Sequence, residues 1–331
     1  MTRPRIAVDG MGGDHGPDVA VPAAETLAAD ADIVLVGDEA TLRSRACGKA
    51  ALQFLHASEV LRADDSLSTA LRRKPDSSLR KALSLLADGS VDAVVSGGDT
   101  AQLMVLSRQI LGMVPGVQRP AIAKVMRGVK RDFWMLDLGA NLDCEPRVLL
   151  QFARMGSVMA ETLGAVQKPR VALLNIGTEA AKGPEVLGRA AELLAAAPGI
   201  NYTGFIEGNR LFDNAADVIV CDGFAGNIAL KSVEGAAAMA GHLLRSAVNR
   251  LSPLQKAGLW LLRGALSDLR DEFNPQQYNG ASLVGLNGVV VKSHGSADRV
   301  GFEAALREAL NQARFDIPGL LRRAFEQELN N

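Results

Sequence analysis

Short runs of apolar and β-branched residues recur along the chain, and most are followed by a stretch with helical spacing. This alternation is typical of a mainly parallel sheet flanked by helices, so it predicts an α/β fold. The predicted strands are Arg5 to Val8, Ile33 to Val36, Val91 to Val95, Ala121 to Met126, Phe133 to Leu138, Val171 to Ile176, Asp217 to Cys221 and Gly288 to Val291. The clearest predicted helices are Asp76 to Asp88, Glu145 to Leu163 and Pro184 to Ala197.

The composition is that of a folded, soluble-type chain: 48% of its 331 residues are hydrophobic and 22% are charged. No repeat or long linker divides it, so we expect residues 1–331 to form one α/β catalytic unit or two interleaved lobes. The net charge of -1 argues against a general nucleic-acid binder, which needs many basic phosphate contacts. Without a signal-peptide pattern or a long apolar stretch, we expect a cytoplasmic protein.

Cysteine and motif chemistry excludes several classes of enzyme. The three cysteines, Cys47, Cys144 and Cys221, are far apart and fit no metal-ligand spacing, so we expect no disulfide framework and no metal site. Cys144 and Cys221 also stand beside acidic residues, which disfavour the reactive thiolate. The chain has no G-x-S-x-G, G-x-G-x-x-G or P-loop pattern, and we expect no cofactor.

Glycine is abundant, at 33 residues, and it concentrates in loops that follow the predicted strands. Ligands of open α/β sheets bind beyond the carboxyl ends of strands, so these loops are expected to converge on one site. The loop from Asp9 to Pro17 leads into a helix and offers free N–H groups to an anion, although a tight turn that binds nothing is the alternative. Its binding candidates are Asp9, Gly12, Gly13, Asp14, His15 and Gly16.

Three further residues are catalytic candidates: Lys182, Asn227 and His294. An acyl or phosphoryl reaction needs cations and N–H donors aimed at developing negative charge, and these residues lie in or beside glycine-rich loops. Alternatively, the lysine is a solvated surface group and the histidine a capped loop residue. The remaining binding candidates are Ser96, Thr100, Asn141, Asn175, Lys231, Gly295 and Ser296.

Residues 241–271 predict an amphipathic helical hairpin, in which Ser252 to Gln255 has the pattern of a capping box that begins the second helix. Leu259 to Leu262 are four large apolar residues in succession and cannot all face one core. Residues 241–270 carry a net charge of +4, which favours an anionic membrane surface or an acidic protein; a buried helix pair or a subunit contact is the alternative. The contact candidates are Arg245, Arg250, Leu254, Lys256, Leu259, Trp260, Leu261 and Arg263.

Six motifs resemble, in order along nearly the whole chain, those of the bacterial acyl-ACP:phosphate acyltransferase family, PlsX. They are Asp9-Gly-Met-Gly-Gly-Asp14 with Gly16-Pro17, Leu136-Asp-Leu-Gly-Ala-Asn141, Leu174-Asn-Ile-Gly177 with Lys182-Gly183, Asp222-Gly-Phe-Ala-Gly-Asn227 through Lys231 with Glu234-Gly235, Tyr278-Asn-Gly-Ala281, and Lys292-Ser-His-Gly-Ser296.

The resemblance implies a fold akin to phosphotransacetylase and the isocitrate/isopropylmalate dehydrogenases, with the hairpin protruding from it. It implies a homodimer attached peripherally to the inner face of the cell membrane. It also implies the reaction, in which inorganic phosphate displaces acyl carrier protein from a fatty acyl thioester. The acyl phosphate would then supply a glycerol-3-phosphate acyltransferase in phospholipid synthesis.

This reaction fits a site without a strong base, because phosphate is already largely dianionic near neutral pH and a thiolate is a good leaving group. As a hypothesis, Lys182 and the first loop hold phosphate and Asn227 polarises the thioester carbonyl. His294 either orients phosphate or protonates the leaving sulfur. Carrier protein is acidic and would dock on one of two basic groups, which are Arg245, Arg250 and Lys256 of the hairpin or Arg127, Lys130 and Arg131.

The chain departs from the family pattern at three positions: Asp99 stands where Asn is expected, Ala297 where Ser is common and Arg210 where an acidic residue is frequent. Three other functions stay open. They are an acyl-CoA phosphotransacetylase, an NAD(P)-dependent dehydrogenase on the same fold, and a non-catalytic membrane scaffold, which would leave the polar loops unexplained.

Overall fold

A computed structural model describes residues 3–48, 50–179, 182–250 and 275–329, with the single positions 252, 255 and 264. The strands in these ranges form one 11-stranded sheet with the order β3-β2-β1-β4-β11-β10-β5-β6-β9-β7-β8. The strands are β1 (Arg5–Asp9), β2 (Asp32–Gly37), β3 (Leu52–His56), β4 (Ala93–Ser96), β5 (Ala121–Met126), β6 (Phe133–Leu136), β7 (Arg170–Asn175), β8 (Asn201–Glu207), β9 (Val218–Val220), β10 (Ala281–Val284) and β11 (Val289–Lys292).

Helices cover both faces of this sheet. They are α1 (Pro17–Leu27), α2 (Glu39–Arg45), α3 (Leu67–Arg72), α4 (Ser78–Ala87), α5 (Thr100–Leu111), α6 (Pro146–Thr162), α7 (Glu185–Ala196), α8 (Gly223–Asn249), α9 (Arg299–Arg314) and α10 (Ile317–Leu329). Each strand and each of the three clearest helices predicted from the sequence is present within one or two residues of its predicted ends, whereas the second helix of the predicted hairpin lies largely outside the described residues. The strands β3, β8 and β10 were not among those predicted. Two of them are edge strands, where partial burial leaves the sequence less uniformly apolar.

The predicted mainly parallel α/β architecture is confirmed, with three successive antiparallel pairings at the centre of the sheet. The pairs β11–β10, β10–β5 and β5–β6 are antiparallel, whereas the other neighbouring strands pair in parallel. Two parallel blocks therefore run in opposite directions, and the loops at their carboxyl ends leave opposite edges of the sheet. The expectation that the strand-end loops converge on one site is met in part: the loops after β1, β4, β6 and β11 contribute to the cleft described below, whereas those after β7 and β8 do not.

In the described ranges the core forms four apolar clusters, one on each face of each block. In the first block, α1 and α9 cover one face and α4 and α5 cover the other. In the second block, α6, α7 and α10 cover one face and α8 covers the other. The helices α5 and α8 lie on the same face of the sheet, each over a different block. Between them a gap remains above the central strands β10 and β5.

The helix α8 is anchored at its N-terminus and leaves the body of the protein towards its C-terminus. Its buried residues are Gly223 and Gly226, while Met239 is 62% and Leu243 is 59% exposed. The Ser252 N–H donates to Gln255 Oε1 at 2.9 Å, and Ser252 Oγ accepts from the Gln255 N–H at 3.4 Å, so both hydrogen bonds of the predicted capping box are present.

Most of the remaining hairpin candidates lie outside the described residues: Leu254, Lys256, Leu259, Trp260, Leu261 and Arg263. Arg245 and Arg250 are described, and both are exposed at the C-terminal end of α8. No helix in the described part of the chain is long and apolar enough to cross a membrane.

Candidate active site

A cleft of about 690 Å³ lies in the gap between α5 and α8, a size typical of small-molecule sites. Its floor carries Ile122 and Lys124 from β5 and Ala281 from β10. Loops of the first block form one wall and one face of α8 forms the other. The predicted site residues that line it are Gly13, Asp14, Thr100, Asn227, Lys231, His294 and Gly295.

Two lysines stand in one row across the centre of the sheet. Ala281 on β10 pairs with Lys292 on β11, and the antiparallel register with β5 brings Lys124 opposite Ala281 on its other side. Residues paired in this way point to the same face, and two strand spacings separate the lysine Cα atoms by about 10 Å. The small Ala281 side chain therefore leaves an open space between two long cationic side chains.

The environments of the two lysines differ. Lys292 Nζ donates to the Gly97 carbonyl oxygen at 3.3 Å and to that of Ser293. Burial lowers the pKa of Lys292 to about 8, against the opposing effect of three nearby carboxylates. Burial also lowers the pKa of Lys124, against the opposing charge of Glu234. Among the described residues the ammonium group of Lys124 has no hydrogen-bond partner, so it is available to a ligand.

Asp9 and Ser96 support the cleft wall from beneath and are not among the residues that line it. The buried Asp9 carboxylate accepts hydrogen bonds from Ser78 Oγ at 2.6 Å and Ser96 Oγ at 2.7 Å, and Ser96 Oγ accepts one from the Gly98 N–H at 3.0 Å. A Cβ on Gly12 would come within 2.8 Å of the Gly98 nitrogen. The two loops are thus locked together, and only glycine fits between them.

The departure at Asp99 has a structural explanation. Its carboxylate caps α5 by accepting hydrogen bonds from the Ala101 and Gln102 N–H groups, both at 3.0 Å. Asn and Asp are about equally good at this position, so the exchange preserves the helix start. Thr100 follows the cap and lines the cleft at the helix N-terminus, where the partial positive charge favours an anion.

His294 is held as a hydrogen-bond donor. The Ser296 N–H donates to His294 Nδ1 at 3.2 Å, so Nδ1 is the acceptor atom and the neutral ring carries its proton on Nε2. Asn279 fixes the loop: its Oδ1 accepts from the His294 N–H at 3.0 Å and its Nδ2 donates to Ser293 Oγ at 2.8 Å. Because His294 lines the cleft, its Nε2–H is available to an anion there.

The opposite wall is anchored by Asp137, whose buried carboxylate accepts from the N–H groups of Ile122 (2.9 Å), Ala140 (3.0 Å) and Asn141 (2.8 Å). Asn141 Nδ2 donates to Pro120 O at 2.8 Å, so this predicted binding residue holds the loop in place. Asp222 caps α8 through the Ala225 N–H at 2.7 Å.

Asn227 and Lys231, predicted to lie in or beside a glycine-rich loop, both lie on α8. The reason is that the helix begins at Gly223, directly after the Asp222 cap. With Glu234 they are spaced i, i+4, i+7, so all three share the helix face that lines the cleft.

Asn175 ends β7 and Lys182 lies in the loop after it, and neither residue lines the cleft. Asn175 Nδ2 donates to the Lys182 carbonyl oxygen at 2.7 Å, which closes the loop. Lys182 Nζ pairs with Glu179 Oε2 at 2.7 Å, and the Lys182 side chain is 58% exposed. The structure therefore places this candidate catalytic lysine apart from Asn227 and His294.

The remaining candidates surround the start of α1. Gly12, His15 and Gly16 line a small cavity of about 10 Å³, shared with His294 and Gly295. Ser296 is the residue that fixes the His294 ring. The other two departures lie away from the cleft lining: Arg210 pairs with Asp213 at 3.2 Å, and Ala297 is buried.

Sequence reasoning missed Lys124, Glu234 and Asn279 and did not select Lys292 as a site residue. A signal for Lys124 was present, because it is a lone charged residue within the apolar run Ala121–Met126. A lysine in such a run is unfavourable unless it is paired or functional. The other three stand within motifs that carry the family resemblance, but the residue types alone did not mark them, since polar residues at helix surfaces and strand ends are common.

Comparison with known proteins supports a single family over nearly the whole chain. The model of a family described as fatty acid synthesis protein matches residues 4–318. The phosphate acyltransferase of Pseudomonas savastanoi pv. phaseolicola is 46% identical over 100% of this chain and 99% of its own length. That of Alcanivorax borkumensis is 45% identical over 97% of both chains.

Solved structures show the same fold at low identity. A phosphotransacetylase from Streptococcus pyogenes aligns over 94% of both chains with a TM-score of 0.61 and 20% identity. A branched-chain phosphotransacylase from Enterococcus faecalis aligns over 94% of this chain and 99% of its own, with a TM-score of 0.57 and 16% identity. The phosphotransacetylase-like fold is thereby confirmed. The family match over residues 4–318 and the full-length relatives show that the chain belongs to the fatty acid synthesis protein family, which includes the phosphate acyltransferases.

Proposed function

We propose that the protein is a phosphate acyltransferase that transfers a fatty acyl group from acyl carrier protein to inorganic phosphate. The observation that carries the proposal is the cleft itself, whose floor and walls supply cations and N–H donors from Lys124, Lys292, Asn227 and His294. Such a site suits the binding of an anion and the stabilisation of an oxyanion. The full-length relatives named phosphate acyltransferase support the same reaction.

Direct attack by phosphate fits the chemistry of the cysteines. Burial raises the pKa of Cys144 to about 12 and that of Cys221 well above its ordinary value, so both thiols stay protonated. Cys47 is exposed, and none of the three lines the cleft. A phosphate oxygen forms the new bond to the acyl carbon, and the carbon–sulfur bond breaks to release the carrier thiolate, which takes a proton from water.

The hydrogen bonding of His294 favours one of its two hypothesised roles. If Nε2–H gave its proton to the leaving sulfur while Nδ1 accepted from Ser296, the ring would be left as an unfavourable anion. As a neutral donor it can instead orient phosphate or stabilise the oxyanion that forms at the acyl carbonyl. Asn227, across the cleft on α8, can donate to the same carbonyl.

The test is incubation of the full chain with acyl-acyl carrier protein and phosphate while free carrier thiol and acyl phosphate are measured. Phosphate-dependent release of both in equal amounts is the expected result. Thiol release that does not depend on phosphate would indicate a thioesterase and contradict the proposal. Acetyl-CoA is the matched second substrate, because the solved structures with this fold include phosphotransacetylases. Turnover of acetyl-CoA without turnover of acyl-acyl carrier protein would favour the alternative function, an acyl-CoA phosphotransacetylase.

We also propose that the hairpin of residues 241–271 attaches the enzyme to an anionic membrane surface, where a lipophilic product is best released. The support is the described part of α8, in which Leu243 and Leu244 are more than half exposed and Arg245 and Arg250 accompany them. The proposal also includes two further features: the enzyme forms a homodimer, and carrier protein docks on the basic residues named above. Acyl phosphate would then pass to a glycerol-3-phosphate acyltransferase.

The membrane proposal predicts that a Trp260→Glu/Leu261→Glu double variant floats with anionic liposomes at least about tenfold less than the unchanged protein, because two charges enter the apolar surface. Val300→Glu is the matched control, since Val300 is an exposed apolar residue on α9. Equal flotation of a folded double variant and the unchanged protein would exclude the hairpin as the attachment site.

A further inference from the structure

We propose that Lys124 and Lys292 form a two-lysine clamp that binds the attacking phosphate above Ala281, a role that deepens the proposed phosphate acyltransferase function and rests on it. The clamp is built by the sheet register, because the three residues occupy one row on β5, β10 and β11. It places phosphate at the floor of the cleft, between the two walls that carry Asn227 and His294.

The burial and partners of Lys124 support this role. The Lys124 side chain is half-buried, and its ammonium group has no hydrogen-bond partner among the described residues. Ile122 lies on the same face of β5 and also lines the cleft. The ammonium group opens into the cleft with no partner in the described part of the chain, and burial around the side chain lowers its pKa, so an adjacent anion would stabilise its charged form. An anion of phosphate size that fits between the two lysines would supply the missing hydrogen bonds and neutralise the charge.

The carboxylates near the clamp do not fill it. Asp9 is engaged with Ser78 and Ser96, and Asp99 caps α5. Asp14 lines the cleft beside Lys292, and Glu234 faces Lys124 from α8. These four carboxylates favour the charged form of the lysines. The small side chain of Ala281 keeps the space between Lys124 and Lys292 open.

The clamp predicts a pH dependence that needs no variant. Burial brings the pKa of Lys292 to about 8, so above that pH the lysine loses its charge while phosphate stays dianionic. The KM for phosphate is expected to rise about tenfold between pH 7.5 and pH 9, whereas the KM for acyl-acyl carrier protein stays nearly constant. A constant phosphate KM over this range would contradict the clamp.

Substitution separates the clamp from a structural role. Lys124→Met and Lys292→Met are each expected to raise the phosphate KM about 30-fold, because each removes a charge-assisted hydrogen bond to the anion. The KM for acyl-acyl carrier protein should change less than about twofold. Lys168→Met, at an exposed surface lysine, is the matched control and should leave kcat and both KM values unchanged.

Titration of the full chain with inorganic phosphate by calorimetry tests binding without turnover. Weaker phosphate binding by both Met variants, with unchanged binding by the Lys168 control, supports the clamp. Folded Met variants with unchanged phosphate affinity and KM overturn it even if the unchanged protein forms acyl phosphate. If instead the unchanged protein binds phosphate through these lysines yet forms no acyl phosphate, the proposed reaction is wrong and the clamp stands. Should a Met variant not fold, the pH profile of the unchanged protein decides.

Discussion

Replacing His294 by alanine is expected to lower kcat for acyl phosphate formation by about 100-fold or more, because one preorganised donor to the developing oxyanion is lost. The prediction follows from the tautomer, in which Ser296 donates to Nδ1 at 3.2 Å and leaves the proton on Nε2. The folded state should be little affected, since the Asn279 side chain still holds the loop through the His294 N–H and Ser293 Oγ when the ring contact with Ser296 is lost.

His294→Gln is the informative partner variant, because its amide nitrogen can present an N–H near the position of the histidine Nε2. We expect it to recover at least about tenfold of the kcat lost in the alanine variant. Steady-state kinetics with saturating acyl-acyl carrier protein and phosphate measures kcat for the alanine and glutamine variants. If glutamine were no better than alanine, and the pH profile lost an ionisation, His294 would act by proton transfer instead of as a donor.

Replacing Gly226 by alanine is expected to destabilise the protein by about 3 kcal/mol, with loss of acyl phosphate formation in parallel. A Cβ at this position would overlap the Asp137 carbonyl oxygen and lie 2.8 Å from Cys221 Sγ. The carbonyl has little room to retreat, because the Asp137 N–H donates to the Cys221 carbonyl oxygen at 3.0 Å. The strain would reach the cleft, since Asp137 holds one wall and α8 carries Asn227.

Gly235→Ala is the matched control in the same helix. A Cβ there meets nothing within 4 Å, and alanine is favoured over glycine in a helix by about 1 kcal/mol. Chemical denaturation of the two variants should therefore shift the unfolding midpoint in opposite directions. A Gly226→Ala midpoint equal to that of the unchanged protein would mean that α8 is free to move away from β6.

The apolar pattern and the glycine loops were readable from the sequence because they depend on neighbouring residues. Ala121–Met126 has the predicted strand bounds, and α1 begins at the predicted Pro17. The glycine-rich loops after β1, β4 and β11 do line one cleft. What the loops could not reveal was which polar side chains face it, because Asp9 and Ser96 satisfy each other across two strands.

The sequence by itself determined the α/β class, most of the elements and the chemical character of the site, since each rests on local periodicity or on residues close in the chain. Only the tertiary structure decided that the two parallel blocks run in opposite directions, that Lys182 lies outside the cleft lining, and that Lys124 and Lys292 share a row. The last pair is 168 positions apart in sequence. Strand order and register bring them together, and both depend on long-range pairing that no local pattern encodes.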